Sequence, residues 1–170
     1  MIYVITAGHS NTDPGAVAGK RKEADIAVAM RNLVAAALRA KGYEVLTDGE
    51  GLENQDLNRA IALVKRATAC AVEFHMNASA NPAATGVETI SLPKDKALSQ
   101  RISAVIAGVL GLKLRGDKGW IDQSQSARGR LGYVNAGGLI VELCFLSNPQ
   151  ELAKLDASME RVAEAIAGAL

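Results

Sequence analysis

The chain contains two histidines, and each closes an apolar run. His9 ends IYVITAGH and His75 ends AVEFH; small polar residues follow both. A third run, GLIVELCFL, is apolar except for Glu142. Two neutral imidazoles and one carboxylate make a catalytic zinc shell whose fourth position stays open to water. Such a metal lowers the pKa of its water towards neutrality and polarises a substrate carbonyl. A further carboxylate is then needed, first as general base and later as proton donor. Asp13, Glu23, Asp25, Glu73 and Glu142 are the carboxylates on hand.

Each of these has an ordinary structural reading as well. A histidine at a strand end can simply be hydrogen-bonded in place. A carboxylate inside a buried strand is costly unless it meets a cation, a metal or strong donors, and Arg128 or Arg130 would supply an ion-pair partner for Glu142. Glu23 falls in the first turn of a helix, where an acid complements the helix dipole. That helix follows the loop carrying His9, so its first turn can return near the same place. Glu73 stands two residues before His75, and on a strand the two share a face. Periodicity leaves open whether Glu73 is a ligand, a hydrogen-bond partner of an imidazole or a lone edge carboxylate.

The elements that must position these residues alternate. Strands are expected at 2–7, 43–47, 70–76, 86–92 and 138–145. Helices are expected between them, with Ile26, Met30, Leu33, Val34 and Leu38 on one stripe, Leu57, Ile61 and Val64 on another, and Leu98, Ile102, Val105, Ile106 and Val109 on a third. Gly42 and Gly111 close two of these helices. Residues 112–137 read as irregular, with short ordered pieces at most. NPQELAKL reads as a turn and short helix, and SMERVAEAIAGAL as a closing amphipathic helix. Helices between continuous apolar strands predict right-handed parallel crossovers and a sheet covered on both faces. The expectation is one α/β domain over residues 1–170, three layers with a mostly parallel central sheet. Ligands of such folds sit beyond the carboxyl ends of the strands, where His9, His75 and Glu142 all fall.

Composition narrows the function. In 170 residues, 19 Lys and Arg against 18 Asp and Glu leave a net charge of +1, which gives no electrostatic footprint for nucleic acid or an acidic membrane. Aromatics are only 4% of the chain, too few for a base-stacking surface. No apolar run reaches membrane-spanning length. The start, MIYVITAGHS, has neither a basic segment nor a small-residue cleavage site, so synthesis in the cytoplasm is expected. Cys70 opens one strand and Cys144 closes another. In a parallel sheet those ends lie about 15 Å apart, too far for a disulfide.

These residues resemble the zinc-dependent N-acetylmuramoyl-L-alanine amidases of the amidase-3 type, in order and over nearly the whole chain. ITAGHSNTDPGA resembles the family's opening strand, which ends in Gly-His before Asp-x-Gly-Ala. KEADIAVAM resembles the segment whose glutamate begins the first helix, and LNRAIALVKRA the second helix. EFHMNAS is similar to the strand end with the second histidine followed by x-Asn-Ala. GLIVELCFLSNPQE is similar to the final strand, with its glutamate and then Phe-x-Ser-Asn. The resemblance implies that His9, Glu23 and His75 bind one Zn2+ and that Glu142 is the general base and acid. It thus selects Glu23 over Glu73. The implied substrate is the amide joining N-acetylmuramic acid to L-alanine in peptidoglycan. Asn77, Arg128 and Arg130 are expected near the substrate. Glu73 departs from the small residue usual two places before the second histidine, and is expected to support an imidazole or the cleft.

The short path MNASANPAAT after His75 leaves no room for the long blocking helix of some cell-division amidases, so activity without an activator is expected. Together with the missing leader and wall-binding module, the pattern looks like a phage or prophage endolysin. Such an enzyme would act as a monomer on peptidoglycan in the periplasm or cell wall after release by a holin, without stable membrane association. Two rival readings remain: a zinc carboxypeptidase or aminopeptidase trimming stem peptides, and a non-catalytic peptidoglycan-binding domain. A nucleotide-binding domain is set aside, because AGHSNTDPGA lacks the glycine spacing of a phosphate loop.

Overall fold

The computed structural model describes residues 1–126 and 128–170; Ala127, within the stretch read as irregular, lies outside them. Along the chain run β1 (Ile2–Ala7), a small hairpin of β2 (Val17–Ala18) and β3 (Arg21–Lys22), α1 (Glu23–Ala40), β4 (Glu44–Thr47), α2 (Leu57–Val64), β5 (Ala71–Asn77), β6 (Glu88–Ser91), α3 (Lys96–Leu110), β7 (Trp120–Asp122), α4 (Gly132–Asn135), β8 (Leu139–Phe145) and α5 (Pro149–Ala169). Six strands form one sheet in the order β4-β1-β5-β8-β6-β7. The apolar runs β1, β5 and β8 occupy its centre and pair in parallel, as does β4 with β1. β6 runs antiparallel to β8, and β7 follows β6 in parallel. The sheet is therefore mostly parallel, with a reversed edge.

Alternation along the strands sorts side chains onto two unequal faces. Tyr3, Ile5, Ala7, Val72, Phe74, Met76, Val141 and Leu143 pack with the long helices α1, α3 and α5 in the larger core. Val4, Ala71, Ile90 and Ile140 face the other way and meet only the short helices α2 and α4, through Ala60, Leu63, Val64, Tyr133 and Val134. Eight residues of α2 and four of α4 cannot cover a six-stranded sheet at 1.5 Å rise per residue. The carboxyl-terminal half of that face stays open, and the polar members of the alternation, Glu73, His75, Glu88 and Glu142, lie there.

The stretch 112–137 holds short ordered pieces, as expected, whereas the C-terminal stretch differs from the sequence expectation. Residues 112–137 contain the edge strand β7 and the helix α4. Trp120 is held in this strand by its indole Nε1, which donates to Ser91 Oγ at 3.0 Å, with Lys96 over the ring. The last 21 residues of regular structure form one helix rather than two. Asn148 caps it by accepting from Gln150 N and Glu151 N, and Pro149 opens it, an arrangement suited to a helix start. Asp156, which lies between the two expected helices, faces outward and holds Arg21 in a two-pronged ion pair at 2.6 and 2.8 Å. Leu155, Val162 and Ile166 stay buried on one stripe. Cys70 and Cys144 are both free thiols. Among the described residues no helix is long and apolar enough to cross a membrane.

Candidate active site

The turn after β1 brings the first histidine into place. Gly8 N donates to Phe74 O at 2.9 Å, which keeps the chain beside β5 for one residue past the strand. A Cβ on Gly8 would stand 2.2 Å from the His75 ring, so only glycine lets that imidazole lie over the β1 backbone. His9 then adopts a left-handed φ of 68°, uncommon for a residue with a side chain and frequent at functional sites. Behind this turn Asn54 clamps the loop: its Nδ2 donates to Gly8 O at 3.0 Å, and its N–H donates to Asn11 Oδ1 at 2.7 Å. Arg31, wholly buried on α1, donates to Asp48 Oδ1 and to Glu53 O, and Asp48 in turn accepts from the Ala7 N–H. Burial raises the Asp48 carboxyl to about 6, although Arg31 and the Ala7 N–H oppose the shift.

Helix α1 delivers Glu23. Its first N–H groups donate to loop carbonyls, Glu23 N to Ala16 O and Ala24 N to Pro14 O. The helix start is thus satisfied without a side-chain cap, and the Glu23 carboxylate is free to turn inward. One of its oxygens, Oε2, accepts from Ala16 N at 2.9 Å and the other, Oε1, from Met76 N at 3.0 Å. Oε2 lies 2.9 Å from His9 Nε2, and Oε1 lies 2.9 Å from His75 Nδ1. Burial disfavours the Glu23 charge, but the two imidazoles and the Ala16 N–H outweigh it and hold the carboxyl well below its ordinary range. A carboxylate anion therefore faces two ring nitrogens.

The outer partners decide which nitrogen points inward. His9 Nδ1 donates to Asp13 Oδ2 at 3.0 Å, which turns Nε2 into the site. His75 Nε2 donates to Glu73 Oε1 at 3.1 Å, leaving Nδ1 on the side of Glu23. His9 Nε2 is buried and, despite its closeness to Glu23, makes no aligned hydrogen bond. The donor atoms of His9, Glu23 and His75 all lie within 4.8 Å of one another. A convergent donor set of two imidazole nitrogens and a carboxylate, one of them an orphaned buried nitrogen, fits a zinc ion better than an oxygen-seeking metal such as Mg2+ or Ca2+. The space is also kept clear by Gly15, at φ +67°, where a Cβ would stand 2.5 Å from His9 Nε2 and 2.7 Å from Glu23 Oε2.

Glu142 stands directly opposite His75 on the neighbouring strand. Its Oε2 is shielded from solvent and has no hydrogen-bond partner among the described residues. Burial pushes its carboxyl up to about 7; the charges of Glu23 and Glu88 add to this, and the imidazoles oppose it. The ion pair with Arg128 or Arg130 considered from sequence is not formed in this structure; both arginines are exposed and line the cleft instead. That cleft measures about 640 Å³ and contains His9, Glu23, Glu73, His75 and Glu142 together. Asn77 also lines it, with Nδ2 donating to Glu88 Oε1 at 3.0 Å. Two members escaped the sequence reading. Glu88 faces Glu142 across the β6–β8 pair, and Arg115 is ion-paired to Glu88. The alternation in GVETISL marks a strand, but only the strand order shows its neighbour.

An α/β sheet that gathers two imidazoles and several carboxylates in one open cleft has the architecture of a hydrolase. The Amidase_3 family model, N-acetylmuramoyl-L-alanine amidase, matches residues 3–170, and the chain belongs to that family. It is similar to the Neisseria meningitidis protein assigned as an N-acetylmuramoyl-L-alanine amidase, with TM-score 0.91 and 44% identity over 99% of this chain and 92% of that one. It is similar also to the catalytic domain of CwlV, an N-acetylmuramoyl-L-alanine amidase from Bacillus (Paenibacillus) polymyxa var. colistinus, with TM-score 0.83 and 26% identity over 99% and 94%. An N-acetylmuramoyl-L-alanine amidase from Clostridium difficile 630 shares the fold, with TM-score 0.83 and 22% identity over 99% and 93%. No curated protein matches the chain.

Proposed function

We propose that the chain is a zinc-dependent N-acetylmuramoyl-L-alanine amidase that cleaves the amide between N-acetylmuramic acid and L-alanine in peptidoglycan. In this reading His9, Glu23 and His75 hold the ion, Glu142 is the general base and acid, and Asp13 and Glu73 orient the two imidazoles. The carrying observation is the convergence of the three donors beside Glu142, whose Oε2 has no partner.

When bound, zinc supplies Lewis-acid polarisation of the scissile carbonyl and acidification of the attacking water. Glu142 takes one proton from that water as its oxygen bonds to the carbonyl carbon. As the C–N bond breaks, Glu142 returns the proton to the departing nitrogen of L-alanine. The Glu142 Oε2, buried in the cleft with no hydrogen-bond partner among the described residues, is left available for both transfers. The open half-face of the sheet gives a polymeric substrate access to both groups.

The proposal extends to lysis. In that role the chain is a monomeric endolysin released by a holin and active without an activator; the ten-residue connection from β5 to β6, residues 78–87, carries no helix over the cleft, which supports the last of these alone. Incubation of the zinc-loaded protein with peptidoglycan, with Glu142→Ala beside it, tests the chemistry by mass spectrometry. Peptide-free glycan and stems beginning at L-alanine are expected from the wild type only. Shortened stems still joined to sugar would replace the amidase reading with a peptidase one. Lysis of cells expressing the protein only together with a pore-forming protein tests the biological role.

A further inference from the structure

From the row of groups across the sheet we infer that Arg115 is a specificity-determining residue, which binds the free α-carboxylate of the second stem-peptide residue. The inference rests on the amidase reading and adds a substrate class to it.

The direction of the stem follows from the order of the strands. His9 follows β1 and His75 lies on β5, so the three-donor cluster sits at the β1–β5 side. Glu142 is one strand further, on β8, and Glu88 one further again, on β6. The group that Glu142 protonates is the leaving nitrogen. That nitrogen, and the stem attached to it, must therefore lie on the Glu142 side of the cluster. Continued in the same direction, the stem meets Glu88 and then Arg115.

The distances agree. Two inter-strand spacings separate the His75 and Glu88 backbones, about 10 Å. An extended chain advances about 3.5 Å per residue, so the second stem residue lies about 7 Å beyond the scissile bond. A guanidinium just past Glu88 is within reach of its carboxyl group.

Arg115 is held ready for such a partner. Its Nε donates to Glu88 Oε2, and its guanidinium carbon lies 5.0 Å from the Phe145 ring centroid. Nη1 reaches only Thr85 O, at 3.4 Å, and Nη2 has no hydrogen-bond partner among the described residues. Glu88 is the acid paired to Arg115, and both its oxygens already have donors, Asn77 Nδ2 and Arg115 Nε. An anchored guanidinium with a free fork suits a carboxylate. A carboxamide in its place would lose the charge and present one oxygen instead of two.

The test is kinetic. Zinc-loaded protein is given peptidoglycan whose second stem residue is D-isoglutamate or its amide, D-isoglutamine, with the stem otherwise the same. The wild type should favour the free acid about tenfold or more in kcat/KM, chiefly through KM. Arg115→Gln should bring the two substrates within twofold, and Arg115→Lys should keep a reduced preference. Glu88→Gln should retain the preference. Because each comparison is a ratio within one variant, loss of folded protein cancels. Equal cleavage by the wild type, or a preference that survives in Arg115→Gln, overturns the inference and leaves the amidase reading intact. Cleavage of neither substrate by zinc-bound wild type overturns the amidase reading, and the inference with it.

Discussion

His75 and Glu142 are direct cross-strand neighbours on the parallel strands β5 and β8, both on the face that α2 and α4 leave open. One inter-strand spacing, about 4.8 Å, thus separates the backbone of a proposed metal ligand from that of the proposed base. The same closeness costs stability, since it keeps a carboxyl buried with no donor of its own.

That cost is measurable in the metal-free protein. Glu142 has a folded-state pKa of about 7, raised from 4.5 by burial. The folded state therefore holds this proton more tightly than the unfolded chain does, and stability is lost as pH climbs from about 4.5 through 7. Glu142→Gln has no such loss. Its advantage over the wild type should be absent below pH 4 and reach on the order of 2–3 kcal/mol above pH 7. Urea unfolding of EDTA-treated protein at pH 4 and pH 8 checks this; an equal difference at both would assign the effect to packing.

Zinc titration separates the ligands from the groups behind them. Glu23→Gln should lose stoichiometric zinc. Asp13→Ala frees the His9 tautomer and should weaken zinc about 10- to 100-fold. Glu73→Gln still offers an oxygen to His75 Nε2–H, so it should remain stoichiometric. Retention by Glu23→Gln with loss by Glu73→Gln would exchange the two roles.

Glycine at position 15 keeps the site clear. Gly15→Ala combines a left-handed backbone with a Cβ 2.5 Å from His9 Nε2; Gly19→Ala has the same strain, at φ +59°, and meets nothing within 4 Å. Both should lose about 1 kcal/mol of stability. Only Gly15→Ala should also lose zinc affinity, by about tenfold or more, read by competition with a chelating dye.

Arg31 and Asp48 support the site from below. Arg31→Met strands a buried carboxylate and should cost about 3–5 kcal/mol. Arg31→Met with Asp48→Asn should be less destabilised than Arg31→Met alone, a coupling visible in denaturant unfolding. Additive losses would show that the pair contributes only by packing.

Much of this protein is legible from its residues in order. The apolar runs ending in His9 and His75 and the single acid in GLIVELCFL specify inner strands and mark their odd members, because a buried strand tolerates a charge only for a reason. Alternation also places Glu73 with His75 and Ile140 with Glu142. Tertiary structure alone decided what lies across from what. Glu23 reaches the imidazoles because loop carbonyls satisfy the start of α1, whereas Glu73, nearer to His75 in sequence, meets the outer edge of its ring. The cleft exists because α2 and α4 are too short to cover their face, and a helix's length shows nothing of the area it must hide. Arg115 joins the site only through β6, whose reversed place beside β8 is a matter of strand order. Sequence periodicity records which way a side chain points relative to its own neighbours, and contacts between distant segments depend on how the sheet is assembled.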